Sequence, residues 1–175
     1  MISSICFNCN TAILTSAEYN HSVEQISDSL FRFAVHFLKD SEDAQDVVQD
    51  AFEKLWLNKD KVEKEKVKSW LFTCAHNSML NQVSRKKRQQ THLDSLDEKR
   101  SQAPDNSYES KQVIDQLVSS LPPIQKSILL LRDLEGYTYE EIGAMLSIPP
   151  SQVKVYLYRA RLKIKKQLKG IFELA

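Results

Sequence analysis

The stretch TYEEIGAMLSIPPSQVKVYLYRARLKIKKQL, Thr138–Leu168, decides the fold. Thr138 followed three residues later by Glu141 is a capping box, which opens a short helix with Ile142, Met145 and Leu146 facing inward. Pro149 and Pro150 end that helix, and the second proline suits the first turn of another. The helix that follows repeats Val153, Leu157, Ala160, Ile164 and Leu168 on one face. Gly143 is small where the two helices must cross closely. The outer face displays Ser151, Gln152, Lys154, Val155, Tyr156 and Arg159, with Lys163 and Lys166 further along. The spacing is that of a helix-turn-helix, whose second helix needs polar groups near its N-terminus for base edges and basic groups beyond for phosphates. A helical hairpin with a basic face can also be purely structural. Here the capping box, small residue, turn and basic outer face coincide, which favours DNA reading.

Working outward, the same helical period governs the rest of the 175 residues. Val113, Ile114, Leu117, Val118 and Leu121 mark a helix stopped by Pro122-Pro123, and Ile124, Ile128, Leu129 and Leu131 mark another. Upstream, Ile26, Leu30, Phe33 and Phe37 share a face. Ala44, Val47, Val48, Ala51, Phe52, Leu55 and Trp56 form an apolar stripe, preceded by Asp40 and Ser41 as candidate N-caps. A third helix spans about Lys68 to Lys86, with Leu71, Ala75 and Met79 on one face. No alternating strand pattern competes, and three glycines are too few for a fold built on tight turns. The expected fold is all-α: two small helical domains joined by a flexible linker, the second with the helix-turn-helix. The boundaries read as a disordered tail over 1–16, a first bundle over 17–88, a linker over 89–110 and a second unit over 111–175. The linker reading rests on QQTHLDSLDEKRSQAPDNSY, too polar to bury a core, with Leu93 and Leu96 as exceptions that could dock on a neighbour.

The net charge of +1 hides a segregation along the chain. Residues 1–66 carry seven basic and twelve acidic side chains, 67–88 five and none, 89–110 two and five, and 111–175 ten and six. Two basic patches, each on a patterned helix, are the footprint expected of phosphate contacts, although a lone cluster is more often a solvated face. The first lies in WLFTCAHNSMLNQVSRKKR, Trp70–Arg88. Aromatics there can stack on unpaired bases, Asn77 and Asn81 can bond a base edge, and Arg85, Lys86, Lys87 and Arg88 can hold the backbone. The plainer alternative is a core helix whose basic end complements its dipole.

Other chemistry is thinly represented. Cys6 and Cys9 form a C-x-x-C with no second ligand pair, and the four histidines lack ligand spacing, so no metal site and no cofactor are expected. There is no glycine-rich phosphate loop, nucleophile elbow or histidine-based catalytic set, so neither an enzyme nor a small-molecule substrate is expected. No apolar run reaches membrane-span length and the N-terminus lacks the basic start of a signal peptide, which points to the cytoplasm.

Two separated segments together resemble the extracytoplasmic-function subgroup of the sigma-70 family. DSEDAQDVVQDAFEKLW (Asp40–Trp56) with KSWLFTCAHNSMLNQVSRKKR (Lys68–Arg88) is similar to family region two, and Leu121–Leu168 to region four. The resemblance implies a subunit that binds core RNA polymerase and directs it to promoter DNA, regulated by an anti-sigma factor. It implies that Asp43, Asp46, Gln49, Asp50 and Glu53 contact the polymerase, with Phe52 and Trp56 mainly core. Trp70–Arg88 would recognise and help melt the minus-ten element, with Asn77 at the position associated with a flipped base. Ser151–Lys163 would read the minus-thirty-five element. Within that helix, Gln152 and Tyr156 are expected to discriminate bases and Lys154, Arg159 and Lys163 to contact flanking phosphates. The sequence departs from the family pattern at three places. Ser147 stands where Gly is frequent. Pro149 stands where a capping Ser or Thr is frequent, a loss of about 1 kcal/mol. His76 stands where Arg is common. Two rival readings are a helix-turn-helix regulator that binds an operator alone, which leaves the acidic helix without a role, and a sigma-like adaptor that binds polymerase but not DNA.

Overall fold

The computed structural model describes residues 14–94 and 110–172. Among the described residues seven α-helices follow one another: α1 (Ser16–Leu38), α2 (Ser41–Leu57), α3 (Val67–Asp94), α4 (Ser110–Ser119), α5 (Pro123–Leu129), α6 (Tyr139–Leu146) and α7 (Pro150–Phe172). A 3₁₀ turn over Lys64–Lys66 leads into α3, and α5 runs on into a π turn over Leu130–Leu134. Among the described residues there is no strand. Residues 1–13, with Cys6 and Cys9, and 95–109, the greater part of the expected linker, lie outside the described residues.

Local sequence explains where the helices start. Thr15 caps α1 through the same box that Thr138 builds at α6: its side chain accepts from the Glu18 N–H (3.2 Å) and Glu18 accepts from the Thr15 N–H (3.0 Å). The Asp40 carboxylate caps α2 by accepting from the N–H groups of Glu42 (3.0 Å) and Asp43 (3.1 Å). Two stretches are more ordered than composition implies. Leu14, read as tail, is 1% exposed and its N–H donates to the Lys59 carbonyl. Beyond Arg88, α3 continues to Asp94: Gln89 and Gln90 are good helix formers, and neither Gly nor Pro interrupts the run.

The first three helices pack as a bundle around Leu30, Phe33, Ala34, Val47, Leu55, Leu71 and Met79, each fully buried. The last four enclose Ile128, Leu131, Ile142, Met145, Val153 and Ala160. These two sets form one continuous core, joined where α3 lies on α6. Phe72 meets Phe33 of its own bundle (ring centroids 5.7 Å) and Tyr137 of the other half edge-on (5.4 Å). The Thr73 hydroxyl donates to the Met145 carbonyl (2.7 Å). Lys126, 8% exposed, donates to the Phe37 carbonyl (2.8 Å), and Arg32 grips Glu135 with two hydrogen bonds (3.0 and 2.8 Å).

His76 sits in this seam, 5% exposed, with the Phe37 ring edge-on and Nδ1 3.1 Å from the Ser127 hydroxyl. Burial pushes its imidazole down to about 4 from an ordinary 6.5. The charged group nearest Ser127 in the chain is Lys126, whose ammonium burial also pushes down. The unfolded chain therefore takes a proton at His76 below pH 6.5 that the native seam refuses until about pH 4. Stability contributed by the neutral ring is intact above pH 6.5 and is lost as pH falls, by about 2 kcal/mol at pH 5 and about 3 kcal/mol at the lower limit. Denaturant midpoints between pH 7.5 and 4.5 check this: His76→Asn should lack the component, and an equal acid loss in both proteins would refute the assignment.

Candidate nucleic-acid and protein interfaces

The polar face of α2 is built by its own apolar stripe. Ala44, Val47, Ala51 and Leu55 are turned into the bundle, which leaves Asp46, Gln49, Asp50 and Glu53 exposed at i, i+3, i+4 and i+7. These four form one contiguous patch. Asp43 is set apart from it: it is partly buried in the first turn and ion-paired with Lys86 of α3. One residue expected to touch polymerase and one expected to touch DNA thus hold each other. Phe52 is buried as expected, but Trp56 is 42% exposed. Its ring packs edge-on against Tyr19 (5.0 Å) and lies under the Lys59 ammonium (4.2 Å). The chain leaves α2 at Asn58, so among the described residues no neighbouring element covers the outer side of Trp56, and Leu57 beside it is 71% exposed.

On α3, Asn77, Asn81, Arg85 and Arg88 are all exposed and follow i, i+4, i+8 and i+11, so they share a stripe. Trp70, one face-repeat earlier, is half-buried against the core. Lys86 turns aside to Asp43, and the Arg88 guanidinium donates back to the Ser84 carbonyl. The inward side of the same helix carries Leu71, Phe72, Ala75, His76 and Met79. His76, where family members often carry Arg, faces the seam rather than the stripe, so its neutral ring adds nothing to the charge around Asn77.

The helix-turn-helix has the expected local chemistry. The Thr138 hydroxyl accepts from the Glu141 N–H (3.2 Å), and the Glu141 carboxylate accepts from the Thr138 N–H (2.9 Å). That geometry and the neighbouring Lys68 ammonium hold the Glu141 carboxyl below its usual range. Ser147 closes α6 in the left-handed region (φ 56°, ψ 42°), a conformation in which a side chain costs about 1 kcal/mol relative to glycine. Pro149 contributes only its carbonyl to the start of α7, accepting from the N–H of Gln152 (2.9 Å).

The outer face of α7 divides its residues differently from the expectation. Ser151, Gln152, Val155, Tyr156 and Arg159 line one shallow depression. Arg159 therefore stands with Gln152 and Tyr156 rather than on a flank. Lys154 lies on the other side, its ammonium 5.4 Å from the Tyr139 ring centre, which Arg132 also approaches. Lys163 donates to the Ser120 carbonyl (2.7 Å) and so closes the C-terminus of α4. Arg161 forks onto Asp133. Sequence reasoning put Val155 on the outer face but missed any role for it. It also missed an apolar cleft of about 500 Å³ between α4, the π turn and α7, where Ile114 and Leu134 are 56% and 45% exposed.

Among the described residues no group of His, Cys, Asp or Glu could hold a metal ion, and no helix is long and apolar enough to cross a membrane.

Residues 23–89 match the family model for sigma-70 region 2 and residues 111–164 the model for sigma-70 region 4. The chain is 30% identical over 142 residues to the ECF RNA polymerase sigma factor SigM of Bacillus subtilis, covering 79% of this chain and 87% of SigM. It is 28% identical over 146 residues to the ECF RNA polymerase sigma-E factor of Escherichia coli K12, covering 75% and 76% of the two chains. Among solved structures, it is similar to the sigma factor RpoE of Bartonella quintana in complex with the anti-sigma factor NepR (TM-score 0.68, 23% identity, 87% of this chain and 97% of that one). It is also similar to CnrH in complex with the cytosolic domain of CnrY (TM-score 0.64, 19% identity, 87% and 88%). With both regions in order and a relative matched over most of its length, the chain belongs to the extracytoplasmic-function (ECF) sigma factors of the sigma-70 family.

Proposed function

We propose that the chain is a non-enzymatic promoter-specificity subunit: it binds core RNA polymerase through α2, takes the minus-ten element on the outer stripe of α3 and reads the minus-thirty-five element with α7. The observation that carries the reading is the separation of charge onto different helices. An acidic patch of Asp46, Asp50 and Glu53 with Gln49 lies on α2, and basic and amide side chains line α3 and the outer face of α7. A regulator that bound an operator alone would have no use for the first. The domain limits proposed are 17–88 for the polymerase and minus-ten unit and 111–175 for the minus-thirty-five unit. Its place of action is the cytoplasm, where the polymerase works. Control by an anti-sigma factor is proposed as well, since RpoE, whose fold this chain shares, was solved bound to the anti-sigma factor NepR.

Charge reversal tests the polymerase face. Asp46 and Asp50 are exposed and lie off the apolar stripe, so Asp46→Lys with Asp50→Lys should leave the melting temperature within a few degrees. Affinity for core polymerase should fall at least tenfold, since reversed charges at a complementary interface cost several kcal/mol. Unchanged affinity would remove α2 from the interface. Reconstituted transcription from the protein's own upstream region tests the promoter half: initiation that depends on this subunit is expected, and binding of polymerase with no sequence-dependent footprint would instead mark an adaptor.

A further inference from the structure

The inward pole of α7 is fixed by Val153 (0% exposed), Leu157 (3%) and Ala160 (0%). Val155 is two residues from both Val153 and Leu157, a rotation of about 200° from each, which puts it on the opposite pole of the helix. It is 47% exposed. A single surface aliphatic needs no explanation by itself. The surroundings of this one do: it lies within a depression of about 280 Å³ whose other walls are Ser151, Gln152, Tyr156 and Arg159, all hydrogen-bonding side chains. One aliphatic patch is thus framed by polar groups on the outer face of α7.

In the major groove the base edges present donors and acceptors, and the only apolar feature is the C5-methyl of thymine. A valine pressed against a guanine or cytosine edge would strip water from polar atoms and replace none of the lost hydrogen bonds. Pressed against a thymine it buries two apolar surfaces together. We propose that Val155 is a specificity-determining residue that recognises the methyl group of one thymine in the minus-thirty-five element, on either strand. The inference rests on the minus-thirty-five reading of α7 proposed above. It adds a position that reads by apolar contact, beside Gln152 and Arg159, whose side chains can bond polar base edges.

Deoxyuridine differs from thymidine by that methyl alone and isolates the contact. The experiment uses the full chain assembled with core polymerase, and duplexes selected from a library randomised across the minus-thirty-five region. Each dT is replaced in turn by dU on both strands. At one position the replacement should weaken binding about fourfold, the equivalent of ~0.8 kcal/mol for one methyl-sized group. In Val155→Ala, which raises helix propensity and so keeps the fold, the same replacement should have no effect. Val155→Ile should retain the effect. If selection yields a defined element but no single methyl matters, or the methyl effect survives in Val155→Ala, the assignment of Val155 is overturned while the minus-thirty-five reading stands. If selection yields no preferred sequence at all, both fall together.

Discussion

Gly143→Ala should cost the protein about 2–3 kcal/mol and most of its minus-thirty-five-dependent binding. A Cβ at Gly143 would sit 2.7 Å from the carbonyl oxygen of Ile148. That oxygen is backbone, so no flexible side chain can swing away. The turn is pinned from both ends as well. The N–H of Ser147 and that of Ile148 both donate to the Gly143 carbonyl, and Pro149-Pro150 stiffen the far side. Relief must come from parting α6 and α7, which moves the recognition helix relative to the body that positions it. Gly170, near the end of the same helix, is the control. Nothing lies within 4 Å of a Cβ built there, so Gly170→Ala should stabilise by about 0.5–1 kcal/mol through reduced backbone entropy. Denaturant unfolding of the two variants should move in opposite directions. A Gly143→Ala protein as stable as wild type would mean that the crossing is looser than described.

Phe72→Ala is expected to be still more damaging, about 3–5 kcal/mol, the usual range for emptying a buried phenylalanine site. Phe72 is fully buried, and its ring touches Phe33 in the first bundle and Tyr137 in the second half. Truncation therefore opens a void at the point where the two cores meet, and neither side can collapse without dragging the other. Against a typical total stability of about 5–15 kcal/mol the loss is a large fraction. Helical signal and tryptophan fluorescence should still report one shared unfolding transition at lower denaturant. A loss below about 1 kcal/mol would show that the seam is not packed around this ring.

What could be read in the sequence follows how local each cause is. The capping box of Thr138 and Glu141 involves residues three apart, and it forms as its spacing requires. The inward set on α7 and the apolar stripe on α2 are periodic and were equally visible. The box at Thr15 and Glu18 has the same signature and forms as well, at the edge of the first periodic face. What stayed hidden depends on docking between distant parts of the chain. Asp43 and Lys86 are separated by 43 residues, and nothing near either one announces the pair. Lys163 looks like a phosphate contact on its own helix and becomes a helix-end clasp only because α4 ends beside it. His76 reads as a weak version of a basic position until Ser127 and Phe37 arrive from elsewhere. Trp56 failed in the other direction. It keeps the period of a buried residue, but α2 ends one residue later and no described element covers it.

The contacts that close the seam join residues far apart in the order of synthesis. Lys126 and Phe37 are 89 residues apart, and Arg32 and Glu135 are 103. At about 5–20 residues per second, a ribosome needs about 5–20 s to pass from Arg32 to Glu135. The first bundle is complete once α3 has been made, and from Asp94 to Glu135 (about 40 residues, about 2–8 s at that rate) it stands with the inner side of α3 uncovered: Phe72 lacks Tyr137, Thr73 lacks the Met145 carbonyl, and His76 lacks Ser127. The nascent chain therefore passes through a stage at which this apolar seam faces the solvent, and the timing of translation across residues 95–135 sets how long that stage lasts.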